Sequence, residues 1–209
     1  MTDFSKPYAL DSYFGNIDIY LFDQLLKGRI HKGQRILDAG CGGGRNLIFM
    51  FRQGFDVFGI DQQLLAVSRT QSLADDLAPD LPSENFRVEA VEKMSFPDAF
   101  FDVVISSAVL HFAENEQHFD QMLKEMWRVL KKGGIFFARL ASDIGIESKI
   151  TPLGNRRFRL GDGTERFLVN EKMLQNYVRM LNANWIEPLK TVNVSNIRCM
   201  TTCCLKKNH

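Results

Sequence analysis

The amino-acid sequence predicts an α/β fold with a doubly wound parallel sheet. Between residues 34 and 140, short apolar segments that suit buried strands alternate with segments of helical periodicity. A glycine-rich loop directly follows the first strand of this series, at the position where open α/β sheets usually bind ligands. The chain has 209 residues, a length that suits a single domain better than two.

The first part of the chain supplies the elements that surround the glycine loop. An amphipathic helix is predicted for residues 11–26, and we expect residues 1–30 to form a helical flap. Residues 34–39 are predicted to form a buried strand. The loop follows, and residues 46–53 are predicted to form a helix that Gly54 ends.

The same alternation continues to residue 140. One helix is predicted to run from Asp61 toward Leu77, and another carries an apolar stripe over residues 119–130 and is expected to end at Gly133 and Gly134. The strands predicted in this part are residues 55–60, 86–91, 101–106 and 135–140. Residues 34–140 therefore form the predicted core.

The last part of the chain departs from this alternation. Residues 141–169 are predicted to be irregular, and a loop of this length favours a role on the substrate side. Asn170 is predicted to cap a helix. Two strands, residues 185–192 and 196–205, are expected to follow, joined by a turn at residues 194–196.

Composition and charge exclude several functional classes. Lys and Arg number 26 against 25 Asp and Glu, and the resulting net charge of +1 provides no basic field for long nucleic acid. No uninterrupted apolar segment approaches the roughly 18 residues needed to cross a bilayer, and no targeting segment is recognisable. We therefore expect a cytoplasmic protein with a small-molecule partner, no nucleic acid and no membrane contact.

The four cysteines indicate neither a disulfide framework nor a metal site. Cys41 lies in the glycine loop, whereas Cys199, Cys203 and Cys204 crowd one terminal segment. Clustered thiolates can bind soft metal ions. However, Cys204 has the opposite strand phase to Cys199 and Cys203, so the three cannot readily converge. We expect them to be reduced, buried residues.

The spacing of the glycine loop favours one class of ligand. Gly40, Gly42 and Gly44 lack the β-carbons that would keep a ligand away from the backbone. A dinucleotide fingerprint G-x-G-x-x-G that starts at Gly40 requires glycine at position 45, where this chain has Arg45. Asp38 places a carboxylate at the strand end, which suits an ammonium group better than a pyrophosphate.

Four segments together resemble one enzyme family. They are ILDAGCGGGRN at 36–46, FGID at 58–61, FPDAFFDVVISSAVLHF at 96–112 and MWRVLKKGGIFFARL at 126–140. In order and separation they resemble the motifs of class I S-adenosylmethionine-dependent methyltransferases of the type-11 group. The resemblance implies a Rossmann-like, seven-stranded sheet, mostly parallel with an antiparallel last strand. It also implies S-adenosyl-L-methionine as cofactor and S-adenosyl-L-homocysteine as product.

By this resemblance, the first two motifs hold the cofactor. Asp38 and the backbone of the loop at Gly40, Cys41 and Gly42 would bind its methionine end, and Asp61 would accept hydrogen bonds from both ribose hydroxyls. Gln62, the next residue, would line the adenine side. The alternatives are a turn residue for Asp38, a helix cap for Asp61 and an exposed first-turn glutamine for Gln62.

The third motif departs from the family pattern. Where the family commonly has an aspartate that contacts the adenine amino group, this chain has Ala90. Either Glu89 or Glu92 replaces that contact, or the amide of Val91 and apolar packing hold the base. Ser106 and Ser107 close the fourth strand, and by the resemblance they face the sulfonium and its methyl group, mostly through backbone carbonyls.

A catalytic base is not required by this chemistry. His111 follows the fourth strand, where an imidazole could take a proton from an acceptor hydroxyl or amine, but the sequence favours an ordinary hydrogen-bonded histidine over a catalytic one. Methyl transfer from a sulfonium is an in-line displacement, and positioning alone supplies much of its acceleration. Tyr8, Tyr13 and Phe14 are candidates for a flap over the cofactor, although core packing explains Phe14 equally well.

The sequence thus predicts methyl transfer to the oxygen, nitrogen or carbon of a small molecule, within a single domain over residues 1–209. Arg156, Arg157 and Arg159 form a local basic cluster that could meet an anionic substrate or could simply be solvated. Two other functions remain open. One is a non-catalytic S-adenosylmethionine-binding module, and the other is a nicotinamide-dependent oxidoreductase, which Arg45 disfavours.

Overall fold

The computed structural model describes residues 9–209 of the protein. The chain divides into two compact units, the first ending at Ala90 and the second beginning at Val91. No helix in this described part is long and apolar enough to span a membrane.

The first unit is built on a parallel three-stranded ladder. β1 pairs with β2, and β2 pairs with β3, so that Asp38 lies opposite Gly59 and Asp61 opposite Val88. The elements of this unit are α1 (Ala9–Phe14), α2 (Ile19–Leu26), β1 (Arg35–Ala39), α3 (Ile48–Gln53), β2 (Asp56–Asp61), α4 (Leu64–Leu77) and β3 (Phe86–Val88).

The helix predicted for residues 11–26 is two helices, so this prediction was wrong. Gly15 adopts a left-handed φ of +64°, and a β-carbon there would lie 2.5 Å from Ile48 Cδ1. Asp18 then starts α2 as its N-cap, with its carboxylate accepting hydrogen bonds from the N–H groups of Tyr20 and Leu21. The carboxylate of Asp18 therefore fixes where the second helix begins. The apolar periodicity runs through this position without a break, so the periodicity alone predicts one continuous helix.

The second unit combines parallel and antiparallel strands. β4 is parallel to β5, while β11 is antiparallel to β5, β9 and β10. Its elements are β4 (Phe101–Ser107), α5 (Glu116–Val129), β5 (Leu130–Ala141), β6 (Thr151–Gly154), β7 (Arg157–Arg159), β8 (Glu165–Phe167), α6 (Glu171–Met180), β9 (Ala183–Trp185), β10 (Lys190–Val194) and β11 (Arg198–Lys207).

These elements confirm the predicted fold class, a Rossmann-like α/β arrangement whose last strand is antiparallel. Three sheet strands lie in the first unit, and five lie in the second, since β9 adds a short strand to the seven expected. β9 and β10 oppose β11 and therefore run in the direction of β5. The central strands bury apolar side chains, among them Leu37, Val104 and Phe137, each 0% exposed.

The helix predicted to end at Gly133 and Gly134 ends earlier. α5 stops at Val129, and β5 begins at the next residue and includes both glycines. A β-carbon on Gly134 would lie 2.8 Å from the Lys131 carbonyl oxygen and 2.9 Å from that of Asp102. Gly134 therefore allows neighbouring backbone segments of the sheet to approach each other closely. It does not end the helix, contrary to the prediction from the sequence.

Residues 141–169, predicted to be irregular, contain a second sheet, so this prediction was wrong. β6, β7 and β8 form an antiparallel three-stranded sheet. Its first hairpin turns at Asn155 and Arg156, whose φ angles are +51° and +58°. Left-handed residues at both central positions make a tight hairpin. Asn155-Arg156 lacks the glycine that usually identifies such a turn in a sequence.

The carboxyl-terminal elements agree with the sequence in part. Asn170 caps α6 as predicted, since its side chain accepts a hydrogen bond from Met173 N–H at 2.8 Å. The predicted turn forms at Ser195 and Asn196, with φ of +50° and +58°. The strand predicted for residues 185–192 is divided between β9 and β10, because Pro188 lies in this stretch and has no N–H to donate to a ladder.

Candidate functional site

Asp38 is a deeply buried carboxylate at the carboxyl end of β1, only 1% exposed. Neither of its carboxylate oxygens has a hydrogen bond of normal geometry within the described residues, although the side-chain amide of Asn46 approaches it as a donor. Burial raises the pKa of Asp38 to about 7; the charge of Arg45 opposes this shift, Asp61 adds to it, and the amide of Asn46 opposes it. A carboxylate in this position is stabilised by a cationic ligand group.

The glycine loop is fixed to β2 by its backbone. The N–H groups of Gly40 and Cys41 both donate to the Ile60 carbonyl, each at 2.8 Å. The backbone group of Gly40 that is left for a ligand is therefore its carbonyl. Gly42 has a φ of +54°, and a β-carbon there would meet no atom within 4 Å, so the loop leaves open space at this point.

Cys41 faces the interior of the loop rather than its open side. Its carbonyl accepts a hydrogen bond from Gly44 N–H at 3.0 Å, and its thiol lies 3.8 Å from Thr70 Oγ1. Thr70 also donates to the Gly42 carbonyl at 2.8 Å. Burial, and then the charge of Asp38, raise the pKa of the Cys41 thiol to about 12. Cys41 thus shapes the loop, and its contact with a cofactor stays a prediction.

Asp61 ends β2 and holds two backbone amides. Its Oδ2 accepts a hydrogen bond from Gly42 N–H at 3.0 Å, and its Oδ1 accepts one from Gln63 N–H at 2.9 Å. Each carboxylate oxygen can accept a further hydrogen bond, so the pair can also receive two hydroxyl groups. The N-cap residue of α4 is Gln63 rather than Asp61. Gln62, between them, is exposed.

The aromatic residues of the predicted flap differ in placement. Phe14 packs into a cluster, with its ring centroid 4.9 Å from that of Phe22 and 5.3 Å from that of Phe49. The Tyr13 hydroxyl accepts a hydrogen bond from Gln53. Tyr8 lies outside the described residues. The described part of the predicted flap is therefore packed against α3.

Val91 and Glu92 open the second unit. Val91 is buried, and within the described part of the chain its N–H donates no hydrogen bond. The Glu92 carboxylate lies 3.7 Å from Nε2 of His118 on α5. Val91 therefore keeps a backbone donor available, whereas the side chain of Glu92 already has a neighbour of opposite polarity.

Arg128 on α5 holds the segment that follows these two residues. Its guanidinium donates to the carbonyls of Met94 at 3.1 Å and Phe96 at 2.8 Å. It also pairs with Glu125 at 2.7 Å and with Asp98 at 2.7 Å. One side chain thus fixes the loop that leads from Val91 to β4. The planar guanidinium of arginine has five N–H donors, and no other side chain can make this set of contacts.

We expect Arg128→Lys to lower the free energy of unfolding by about 2 kcal/mol, because a lysine cannot reach both carbonyls and leaves one without a charged donor. Urea denaturation measures this change. Arg179→Lys is the control, since Arg179 is exposed on α6 and bonds only to Asn176 among the described residues. Equal midpoints for the two variants would contradict the role given to Arg128.

The predicted residues Ser106 and Ser107 form the buried end of β4, and a strained turn follows them. Ser106 is 0% exposed, and its hydroxyl oxygen has no hydrogen-bond partner among the described residues. Ser107 ends the strand and is also buried. Ala108 follows with a φ of +64° and donates its N–H to the Arg139 carbonyl at 2.7 Å. A left-handed alanine costs roughly 1–2 kcal/mol, so this sharp turn is enforced by its surroundings.

His111 is held as a neutral side chain. It is 6% exposed in a short 3₁₀ turn, and its Nδ1 accepts a hydrogen bond from Ala141 N–H at 3.3 Å. Burial, and then the charge of Arg166, lower the pKa of His111 to about 4. Because Nδ1 is the acceptor, the proton of the neutral ring lies on Nε2, which makes this nitrogen a donor.

The basic cluster predicted at residues 156–159 is divided among local partners. Arg156 donates to the Leu168 carbonyl at 3.1 Å, and Arg157 to the Ala113 carbonyl at 3.4 Å. Arg159 pairs with Glu165 at 2.8 Å. These three side chains therefore support the small sheet and do not converge on one point.

A different set of arginines does converge. A cavity of about 260 Å³ in the second unit, called the arginine cavity below, opens beside the end of β4. Its lining residues are Ala108, His111, Arg139, Ala141, Leu160, Asp162, Thr164, Arg166, Arg198, Cys199 and Met200. Sequence reasoning missed it because its arginines come from three separate strands. The one visible signal is Arg139, a charged residue inside the apolar stretch FFARLA.

The chain is similar to known proteins over the region that contains these elements. The family model described as "Methyltransferase domain" matches residues 37–138. A 2-methyl-6-phytyl-1,4-hydroquinone methyltransferase of Synechocystis sp. is 38% identical over 104 residues, which are 49% of this chain and 30% of that protein.

Solved structures share the fold at low sequence identity. The PH0226 protein from Pyrococcus horikoshii OT3 superposes with a TM-score of 0.71 and 19% identity over 99% of this chain and 100% of that one. A Burkholderia thailandensis 1,6-didemethyltoxoflavin-N1-methyltransferase gives 0.69 and 17%, over 96% and 85%.

The chain spans less than half the length of the curated relatives it matches, 30–47% for three of them. The matched region contains the glycine loop, Asp61 and the strand that ends at Ser107. The matches identify residues 37–138 as a methyltransferase domain of the class I S-adenosylmethionine-dependent family, and the solved structures share its fold.

Proposed function

We propose that the protein transfers a methyl group from S-adenosyl-L-methionine to a small-molecule acceptor. The observation that carries the proposal is Asp38, a buried carboxylate at the strand end that has no hydrogen bond of normal geometry and no cationic side chain paired with it within the described residues. An ionised carboxylate in such a place is costly unless a cation compensates it. The α-ammonium group of the cofactor's methionine end is a cation of suitable size.

The loop around Asp38 fits the same end of the cofactor. The Gly40 carbonyl can accept a second hydrogen bond of the ammonium group, since the N–H of this residue is already used by Ile60. The open space at Gly42 allows a ligand to approach the backbone. Asp38 and the Gly40 carbonyl are thus proposed to bind the ammonium group. Cys41 and Gly42 are proposed to contact the cofactor through their backbone, where the loop leaves room for it.

Asp61 is the proposed ribose ligand. Backbone amides on both of its oxygens hold the carboxylate in one orientation. The remaining lone pairs can accept both ribose hydroxyls, and Gln62 is exposed beside them on the proposed adenine side. This fixed orientation distinguishes Asp61 from a flexible surface acid.

In the second unit, Val91 and Ser106 have separate proposed roles. The Val91 N–H is a free donor for the adenine ring within the described part of the chain. It compensates for the alanine at position 90, because Glu92 already faces His118. Ser106, at the end of β4, is proposed to line the site of methyl transfer by its backbone carbonyl.

When bound, the cofactor supplies a methyl group activated by a sulfonium. The protein's residues then need to hold the acceptor atom in line with that methyl group and to exclude water, and near-attack distances of about 3–3.5 Å provide much of the acceleration. His111 is the proposed side chain nearest to the acceptor. Its Nε2–H makes it a hydrogen-bond donor that positions the acceptor rather than a base that deprotonates it.

We expect the His111 ring to titrate with a midpoint near 4 and to remain the Nε2–H tautomer at neutral pH. Its folded-state pKa lies below the unfolded value of about 6.5, so the stability it contributes is present above pH 6.5 and is lost as pH falls toward 4. NMR titration of the ring nitrogens measures the midpoint. A midpoint between 6 and 7 would make His111 a base and contradict the positioning role.

The proposed acceptors are small molecules with an oxygen, nitrogen or carbon nucleophile. The Synechocystis relative is named for a methylated hydroquinone, and the Burkholderia neighbour for a nitrogen of a heterocycle. These names support a small acceptor and do not select one.

Calorimetric titration with S-adenosylmethionine, S-adenosylhomocysteine and NAD tests the proposal first. Tight binding of the first two and none of NAD is expected. Release of S-adenosylhomocysteine is then measured across a panel of phenols, amines and carboxylic acids. No binding of S-adenosylmethionine overturns the proposal. Binding without release on any acceptor would instead indicate a non-catalytic binding module.

A further inference from the structure

The arginine cavity lies where the proposed acceptor must enter. Ser107, at the end of β4, pairs with Arg139 of β5, and Ala108 at the cavity wall donates its N–H to the Arg139 carbonyl. In open α/β sheets, ligands bind beyond the carboxyl ends of the strands. A cavity of about 260 Å³ at this position accommodates a small molecule.

The charges of the cavity are unbalanced. Arg139, Arg166 and Arg198 line it together with one carboxylate, Asp162. The nearest recorded approach of Arg198 to Asp162 is 4.0 Å, the outer limit of an ion pair. Asp162 itself accepts hydrogen bonds from Thr164 N–H at 3.0 Å and Thr164 Oγ1 at 2.6 Å. Thr164 therefore orients Asp162 and lowers the pKa of this carboxyl, and the charges of both Arg198 and Arg166 help to lower it. Arg166 and Arg198 thus share one carboxylate within the cavity.

Arg166 is fixed in place without being neutralised. Its guanidinium lies 5.0 Å above the ring of Phe112, and its Nη1 donates to the Glu165 carbonyl at 2.8 Å. These are the contacts it makes with the described residues. Its other N–H groups can serve a ligand, and the rigid support means that little side-chain entropy is lost on binding.

His111 adds a neutral donor to the same cavity. Its Nδ1 is occupied by Ala141 N–H, so the proton lies on Nε2. The charge of Arg166 is one cause of its low pKa, after burial, which indicates that the two side chains are close. The cavity therefore presents guanidinium and imidazole donors, and Asp162 is its one anionic side chain.

We propose that the arginine cavity binds an anionic group, a carboxylate or a phosphate monoester, of the methyl acceptor. Arg166 and Arg198 are the principal ligands, because planar guanidinium forks match the oxygens of both groups. This inference rests on the proposed function, and it selects an acid among the small-molecule acceptors. The atom that receives the methyl group is not the anionic group held by the arginines.

Binding of matched pairs tests the proposal. The probes are hydroxybenzoic acids and aliphatic hydroxy acids, each paired with its primary amide, and sugar and phenyl phosphates, each paired with the parent alcohol. Calorimetry is done with S-adenosylhomocysteine present. We expect at least one acid or phosphate to bind about 10-fold or more tightly than its neutral partner, the scale of a charge-assisted hydrogen bond. That preference should shrink as salt is raised from 50 to 500 mM.

The double variant Arg166→Gln, Arg198→Gln should lose this preference by about 10-fold or more, while Arg179→Gln, an exposed change on α6, keeps it. Thermal melting checks that both variants are folded. If no member of the set binds more tightly than its neutral partner, or if the double variant keeps the preference, the proposal is overturned. A carboxylate-only or phosphate-only preference identifies which of the two oxyanions the cavity takes.

Failure of this proposal can be distinguished from failure of the proposed function. Affinity for S-adenosylhomocysteine is measured first, without any acceptor. If the cofactor binds and the acids show no advantage, only the anionic acceptor is rejected. If the cofactor itself does not bind, the proposed function fails, whatever the cavity holds.

Discussion

Replacing Asp38 by asparagine is expected to weaken S-adenosylmethionine binding by about 100- to 1,000-fold, or about 3–4 kcal/mol. The carboxylate is buried and has no hydrogen bond of normal geometry within the described residues. Its partner in the proposed complex is the cofactor's ammonium group. An asparagine keeps the size of the side chain but leaves that cation in a buried place without its counter-charge.

The same substitution should stabilise the ligand-free protein at alkaline pH. The folded-state pKa of Asp38 is about 7, raised from 3.8, so the folded protein binds a proton more strongly than the unfolded chain. Stability from this group is present at low pH and falls as pH rises from about 4 to 7, by roughly 4 kcal/mol in total. The asparagine variant lacks this fall.

Two measurements check the Asp38 prediction. Urea denaturation at pH 5 and pH 8 should show that the stability gained by Asp38→Asn over the wild type is larger at pH 8 than at pH 5. Calorimetry in buffers of different ionisation heat should show proton release on cofactor binding at pH 6 in the wild type and none in the variant. Asp75→Asn, an exposed change on α4, serves as control. An unchanged affinity in Asp38→Asn would remove the observation on which the proposed function rests.

Asp61→Ala should weaken cofactor binding by about 100-fold, or about 3 kcal/mol, which is the loss of hydrogen bonds to a charged group. The effect has two physical sources. The ribose hydroxyls lose their acceptor, and the N–H groups of Gly42 and Gln63 lose the carboxylate that orients them. The loop at Gly42 is therefore disturbed together with the ribose contact.

A ligand that lacks one ribose hydroxyl distinguishes the loss of the ribose contact from the disturbance of the loop. Wild type should bind 5′-methylthioadenosine more tightly than its 2′-deoxy analogue, by about 10-fold. Asp61→Ala should bind the two equally, because the group that reads the hydroxyl is gone. Asp56→Ala, at the opposite end of β2, is the matched control and should keep the full preference. If Asp61→Ala also keeps the preference, another residue binds the ribose.

The most accurate predictions from the sequence concern features that depend on residues close together in the chain. Asp38 and Asp61 lie at the ends of β1 and β2, and the glycine loop follows β1. The apolar residues of these segments favour buried strands, and β1, β2 and β4 form close to their predicted bounds. The turn at Ser195 and Asn196 was predictable for the same reason, since asparagine tolerates the left-handed region. Each of these features depends on a few neighbouring residues.

Features that depend on distant contacts were not predictable in this way. The break between α1 and α2 depends on Ile48, which leaves no room for a β-carbon at Gly15. The arginine cavity depends on strands far apart in sequence that bring Arg139, Arg166 and Arg198 to one place. The cluster at residues 156–159 attracts attention because its arginines are close in sequence. In the fold, Arg156 lies in the hairpin turn, and each of the three guanidinium groups has a partner of its own.

The small sheet of β6, β7 and β8 has a consequence for how this enzyme family diversifies. β8 carries Arg166, and the stretch between β7 and β8 carries Leu160, Asp162 and Thr164, so four lining side chains of the arginine cavity come from one contiguous segment of the chain. Gly161 joins that segment to the hairpin of β10 and β11 by donating its N–H to the Ile197 carbonyl at 3.0 Å. Under the proposed role of the arginine cavity, exchange of this one segment is expected to change the preference for the acceptor while the sequence of the glycine loop stays the same.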